Sequence, residues 1–416
     1  MEIPTIAAPY TVKDTGIRKS LLEDLTLKIL YLEGESSLRE LAEGMRLSLA
    51  IVEEIFQHLR KEQFCEVKGM TGGVHRIAAT SQGRARALEL LSLNQYVGPA
   101  PVSLPSYVSR VRAQSVRSVE VHPADLQRKF AHLVLSSETL VQIGTAIVSG
   151  MSVFLHGPSG TGKTAIAETI PRIYLDTVWI PYAVEIDGQI ITLYDAGVHE
   201  QIDSVLPKES DRRWLLCRRP RVVVGGELTV EMLDLQFNPM TKFYAAPIQM
   251  KANNGVLIID DFGRQRIRPE ELLNRWIVPL DRHIDFLSLA GGKKFEIPFD
   301  SFVVFATNLD PAKLADEAFL RRIRNKIKVD FVSREQFHKI FRGVCREFGL
   351  EYNDTLVEEL INTITTTLKE PLRPCQPRDI VQQIGWMARY EGREPRLDRS
   401  AVEQACRNCF LPVESS

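Results

Sequence analysis

No apolar run among the 416 residues approaches the ~18 that a membrane-spanning helix needs, so no membrane anchor is expected. Cysteine is scarce. Six, scattered over the whole length, do not form a disulfide framework, and a reducing cytoplasm is the expected setting. An excess of one charge is missing as well: Lys+Arg 52 against Asp+Glu 53 leaves a formal net charge of -1. That argues against wholesale electrostatic binding to nucleic acid or membrane and leaves only local patches. Met1-Glu2-Ile3-Pro4 carries neither the basic nor the apolar stretch of a secretory signal, and none is expected. Internal repeats and low-complexity tracts are also lacking. What remains is a balance of 44% hydrophobic and 25% charged residues, that of a globular protein with a core, at a length suited to two or three domains.

Residues 18–33 place apolar side chains at helical spacing up to Gly34. Ser36 and Ser37 precede a short helix, LRELAEGM, and Ser48 opens a third, LAIVEEIFQHLRKEQF. Residues 63–79 turn strand-like around Gly72-Gly73, and a further helix follows. Gly98-Pro99-Ala100-Pro101 and Leu104-Pro105-Ser106 then read as a linker over 93–120. From about 121 apolar strands alternate with helices, which predicts an α/β fold with a parallel sheet. The expected strands are Ser152–His156, Val178–Ile186, Arg221–Val224, Val256–Asp260 and Phe302–Thr307. Beyond 332 only helices are expected, over 333–348, 354–369, 377–391 and 398–410.

The strongest chemical signal is Gly157-Pro158-Ser159-Gly160-Thr161-Gly162-Lys163-Thr164, between an apolar strand and a helical AIAETI. Glycines let successive backbone N–H groups turn inward around phosphates, and the helix start adds partial positive charge. Lys163 would neutralise the β- and γ-phosphates, and the Thr164 hydroxyl would complete a Mg²⁺ shell. A glycine-rich turn without a ligand is the bland alternative, and the register of strand, Lys, Thr and helix speaks against it. Val256-Leu257-Ile258-Ile259-Asp260-Asp261 then delivers carboxylates at the end of an apolar strand, where α/β sheets bind ligands. Asp260 would hold Mg²⁺ through water, and Asp261 would orient or activate the attacking water.

On these motifs residues 121–411 resemble an AAA+ ATPase, a P-loop NTPase core followed by a helical lid. The resemblance implies ATP and Mg²⁺ as cofactors, ATP hydrolysis, and work as a homo-oligomeric ring, a hexamer, on an unidentified protein client. It implies a sensor 1 role for Asn308 at the end of Phe302–Thr307. It also makes Glu317-Ala318-Phe319-Leu320-Arg321-Arg322-Ile323 an arginine-finger box, with Arg322 the first choice and Arg321 the alternate. Gln376-Pro377-Arg378-Asp379-Ile380 matches sensor 2, with Arg378 on the γ-phosphate. A lone Arg is more often a solvated charge, and the order of all five motifs carries the reading. HIDFLSLAGGKKFEIPFD, two strand-like runs meeting at Gly291-Gly292, is similar to the hairpin of the pre-sensor-1 clade, MoxR-type ATPases included. Residues 15–92 resemble a winged helix. The implied domains are 1–92 winged helix, 93–120 linker, 121–332 α/β core and 333–416 lid.

The chain departs from the family at Asp261, where most such motors carry Glu. One methylene fewer shortens the reach by ~1.5 Å, and slow turnover is expected. That keeps open a slow ATP-dependent switch or a DNA-associated loader. Part of 187–250 reads as an insertion. It holds Lys208, Arg212, Arg213, Arg218, Arg219 and Arg221 against Glu209 and Asp211, a patch expected to be a solvated loop or a subunit contact. Tyr194-Asp195-Ala196-Gly197 is a poor match to a pore loop. Residues 1–90 hold 12 Lys/Arg and 13 Asp/Glu, and Glu53 and Glu54 lie on the third helix, so protein recognition is favoured there over DNA. Cys406-Arg407-Asn408-Cys409 is a lone pair of thiols, and His156 is expected to be a packed strand residue.

Overall fold

The computed structural model describes residues 5–71, 73–202, 207, 209–311 and 321–410. They form two compact units, one of 1–119, 174–257 and 274–302, the other of 120–173, 258–273 and 303–416.

In the first unit, helix Lys19–Glu33 buries Leu22, Leu25, Ile29 and Leu30 along one face and stops at Gly34, whose φ is 84°. Ser37 and Glu40 make a reciprocal capping box that starts helix Leu38–Met45, and Ser48 caps Leu49–Lys61. Strands Cys65–Thr71 and Val74–Ala79 form an antiparallel hairpin, and Glu35–Ser37 adds to its Val74–Ala79 side. Helix Ser81–Leu93 follows at close quarters: a Cβ on Gly83 would stand 2.0 Å from the Phe64 carbonyl.

Residues 93–120 are not the irregular linker expected. Val102–Ser103 pairs in parallel with Ala183–Ile186, and helix Leu104–Ala113 buries Tyr107 and Val111. Ser103 caps that helix and Pro105 lies in its first turn, where the missing N–H costs nothing. The expected strand 178–186 is two strands. Thr177–Pro181 pairs with Trp214–Arg218 and Ala183–Ile186 with Gln189–Thr192, and the break falls at Tyr182, whose N–H goes to the Arg213 carbonyl. Ile284–Ser288 and Lys294–Pro298 form the hairpin expected around Gly291-Gly292, with Gly292 at φ 82°.

The basic patch of this region is also a correction in part. Arg213 and Arg219 are buried, not solvated. Arg213 pairs with Asp211 at 2.8 Å and donates to the Thr15 and Pro101 carbonyls, while Arg219 pairs with Asp176 at 2.6 Å and donates to the Gln114 and Asn254 carbonyls. Buried cations need such a full set of acceptors. Arg212, Arg218 and Arg221 are exposed, and Lys208 lies outside the described residues.

The five-stranded sheet runs Arg221–Val224, Val256–Ile259, Phe302–Thr307, Val153–His156, Asn325–Lys328, with the last two neighbours of Val153–His156 both parallel to it. The three central strands are short and largely apolar, as strands covered on both faces require, while the edge strands Arg221–Val224 and Asn325–Lys328 alternate buried and more exposed residues. In the second unit Phe154, Phe262 and Phe305 pack their rings together beneath the sheet's carboxyl edge. Between 334 and 409 it is largely helical: Arg334–Glu347, Asp354–Asn362 running into a wide turn at Thr363–Thr367, Gln376–Tyr390 and Arg399–Cys409. Phe337, Phe341, Ile361, Ile384 and Ala405 meet in their core, which takes in Cys406, while Cys409 is exposed. Among the described residues no helix is long and apolar enough to cross a membrane.

Candidate nucleotide site

Three parallel strands end side by side, one handing over to the glycine loop and two to polar side chains. Val153–His156 leads into Gly157, Val256–Ile259 into Asp260, and Phe302–Thr307 into Asn308. The carboxyl edge of a parallel sheet is where such folds collect ligand-binding groups.

The loop 157–162 leaves the sheet through three glycines in the left half of φ: Gly157 at 142°, Gly160 at 75° and Gly162 at 90°. The first is also a close approach, since a Cβ there would stand 2.1 Å from the Val329 carbonyl. Thr161 ties the loop on itself by donating to the Pro158 carbonyl at 2.9 Å. Helix Lys163–Thr169 then begins, with Gly162 as its N-cap. The Lys163 ammonium folds back onto the loop, donating to the Gly157 and Pro158 carbonyls at 2.9 and 2.6 Å. Burial pushes its pKa below the usual lysine value, and Asp260 and Asp261 draw it back up. The Thr164 hydroxyl donates to Asp260 Oδ1 at 3.2 Å.

Asp260 and Asp261 sit in a tight turn. The Asp261 N–H donates to Asp260 Oδ1 at 2.9 Å, and Asp261 has φ 48°, a conformation that Asp tolerates better than most residues. Gln265, which sequence reasoning missed, braces this turn: its side chain accepts from Gly263 N–H and donates to the Asp260 carbonyl, at 2.7 and 2.8 Å. Phe262 N–H bonds to the Ala306 carbonyl, and the Thr307 hydroxyl donates to the Phe262 carbonyl, so Asp261 and Asn308 are tied by short links. Asn308 Oδ1 is buried without a hydrogen-bond partner. His156 is half-buried, and burial and then Lys328 hold its pKa below the ordinary value.

The three arginines fare differently. Arg378 is engaged with Glu347 in a two-pronged ion pair at 2.9 and 2.7 Å, on the exposed side of its helix. Arg321 is exposed and Arg322 half-buried, and Glu317–Leu320 of their box lie outside the described residues. A different arginine reaches the glycine loop. Arg373 Cδ and Cys375 Sγ lie 3.2 and 2.8 Å from where a Cβ on Gly160 would stand. No local pattern signals this, because the contact joins segments more than two hundred residues apart.

The class defined so far is an α/β protein with a parallel five-stranded sheet and a glycine-rich loop at its carboxyl edge. Residues 333–408 match the model of a family described as a domain of unknown function, DUF8689. No curated protein matches the chain. Among solved structures it is similar to NtrX from Brucella abortus, at 14% identity and TM-score 0.43 over 70% of this chain and 57% of that one. It is similar to the same NtrX in complex with ATP at 16% identity and TM-score 0.40, over 70% and 60% of the two chains. It is also similar to the Thermotoga maritima RuvB Holliday junction branch migration motor, at 14% identity and TM-score 0.37 over 69% and 70%. The chain thus spans less than two thirds of the NtrX chains.

Proposed function

We propose that this chain is an AAA+ ATPase that binds and hydrolyses ATP and remodels a protein or protein–nucleic-acid partner as a homo-oligomeric ring. One observation carries the reading: the Thr164 hydroxyl, first turn of the helix after the glycine loop, meets Asp260 Oδ1 at 3.2 Å. Two hard oxygen donors at that spacing, beside the Lys163 ammonium, suit Mg²⁺ accompanied by phosphate. The loop suits it too, because its glycines leave backbone N–H groups uncovered and the helix start adds positive charge. Asn308, with its buried unpartnered oxygen beside the Asp261 turn, supplies a group for water or phosphate.

Bound ATP with Mg²⁺ supplies a γ-phosphoryl group open to attack by water. Lys163 exchanges the Gly157 and Pro158 carbonyls for phosphate oxygens, Thr164 and Asp260 hold the metal, and Asp261 orients the attacking water. Arg322, or Arg321, reaches the site of a neighbouring subunit. The hairpin Ile284–Ser288/Lys294–Pro298 supports the pre-sensor-1 clade, and the order helix, strand, helix, helix, hairpin over 19–79 supports a winged helix. Exposed Glu53 and Glu54 on its third helix favour a protein target for that module. The shorter Asp261 supports a second reading, a slow switch or DNA-associated loader.

Mg²⁺-dependent phosphate release, measured for the parent and Lys163→Ala with and without duplex DNA, tests both readings. Turnover that vanishes in Lys163→Ala is expected, and strong stimulation by DNA would favour the loader. Equal nucleotide affinity of parent and variant by calorimetry would overturn the site.

A further inference from the structure

The segment 370–376 lies over the phosphate loop and is held there on three sides. Leu372 accepts from Val332 N–H at 3.0 Å. Buried Gln376 accepts from Arg373 N–H at 2.8 Å and donates to the Pro371 carbonyl at 3.2 Å, which fixes the turn from within. Arg373 passes 5.9 Å from the Phe331 ring centre, and its Cδ lies beside Gly160. The adjoining 329–332 stretch carries the carbonyl that presses on Gly157, so the loop is touched at both Gly157 and Gly160 from this side. The guanidinium is paired with Glu370 Oε2 at 2.8 Å, and both side chains are about a third exposed.

We propose that Glu370 and Arg373 form a latch on the phosphate loop: Glu370 holds the guanidinium in the nucleotide-free protein, and a bound nucleoside polyphosphate takes it over. The inference rests on the nucleotide reading above and adds a phosphate-binding cation and its regulation to that site. Chemistry favours the exchange. A partly solvated Arg–carboxylate pair is weak, whereas a planar guanidinium meets phosphate oxygens two at a time. The backbone that carries Arg373 needs no rearrangement, since Gln376 and Val332 already fix it, and only the terminal torsions turn.

The test is a titration of the full chain with a fluorescent ATP analogue, with ATP, ADP and AMP as competitors. Glu370→Gln is expected to tighten ATP several-fold. Arg373→Ala is expected to weaken it by roughly tenfold or more and to weaken AMP far less. In the Arg373→Ala background the Glu370→Gln change should have no effect, an outcome that a merely structural role would not produce. Circular dichroism melts accompany each variant, and Glu370→Gln, a change at a partly exposed side chain, decides the matter if Arg373→Ala melts early. Unchanged affinity in Glu370→Gln, or the same effect of Glu370→Gln with and without Arg373, overturns the latch. Parent protein that binds ATP through Lys163 while ignoring both changes leaves the nucleotide site standing without the latch. A parent that binds no nucleotide overturns both.

Discussion

The Thr164 hydroxyl donates to Asp260 Oδ1 at 3.2 Å across 96 residues of sequence. The bond joins the first turn after the glycine loop to the residue that follows strand Val256–Ile259, one strand removed from Val153–His156, and a cation between them would replace it. Thr164→Val keeps the shape and removes the donor. The parent should bind ATP more tightly in Mg²⁺ than in EDTA, and Thr164→Val should lose most of that difference while keeping its EDTA affinity. Calorimetry in the two buffers checks it; an undiminished Mg²⁺ gain would separate Thr164 from the metal.

Asp261, proposed above to orient the attacking water, has a left-handed backbone, φ 48°. Asp261→Asn suits the backbone and removes the base, so ATP binding should persist while phosphate release falls by ~10²-fold or more. Asp261→Glu restores the commoner motor residue and should retain or raise turnover. It should also melt slightly earlier, since Glu tolerates this conformation less well. Asp261→Asn turning over at the parent rate would assign the work elsewhere.

Arg322 is expected to act across a subunit interface. Arg322→Ala should bind ATP and hydrolyse it poorly, because a finger contributes ~10³–10⁵ in rate where one operates. Mixing Arg322→Ala with Lys163→Ala subunits should restore part of the activity once subunit exchange is verified by labelled protein. Full ATPase activity of Arg322→Ala alone would pass the role to Arg321.

Gly157→Ala should unsettle the fold before it touches chemistry. The new methyl would meet the Val329 carbonyl at 2.1 Å, in a backbone with φ 142°. Gly291→Ala, with nothing within 4 Å and no positive φ, is the matched control. A melting temperature several degrees lower for Gly157→Ala and unchanged for Gly291→Ala is expected, read by calorimetric scan.

Lys28 brings a pH dependence to the first unit. Its ammonium donates to the Asn94 and Tyr96 carbonyls, and burial lowers its pKa to about 8 from 10.5. Between those values the unfolded chain binds the extra proton, so this residue's contribution to stability rises with pH. Below about 8 both states are protonated and its contribution is level. Urea midpoints of parent and Lys28→Met should therefore diverge in the parent's favour from pH 8 to 10, and parallel midpoints would contradict the shift.

What the sequence made legible follows from how local each signal is. Ser333 with Gln336, Asn353 and Asp398 cap helices whose apolar residues recur at helical spacing, and those helices lie within a residue or two of expectation except Asp354–Asn362, which ends in the wide turn. Val153–His156 and Phe302–Thr307 were legible as short apolar runs. The glycine loop needs no partner to be recognised. What failed depends on distant pairing. Pro99, Pro101 and Pro105 look like punctuation until Ser103 caps a helix that Tyr107 and Val111 anchor. Arg213 and Arg219 look solvated until the Thr15, Pro101, Gln114 and Asn254 carbonyls and the Asp176 carboxylate arrive from elsewhere in the chain. Arg373 gains meaning only from Gly160.

Arg213 has a practical consequence for dissecting the protein. Its guanidinium is stitched to Asp211, to the Thr15 carbonyl and to the Pro101 carbonyl, so one buried cation draws on three stretches of chain. A fragment starting at residue 121 would strip it of two acceptors at once and leave those donors to water. Limited proteolysis should accordingly spare the 93–120 stretch, and a fragment starting at residue 121 should aggregate more readily than the full chain, because it loses Val102, Tyr107 and Val111 from a shared apolar core.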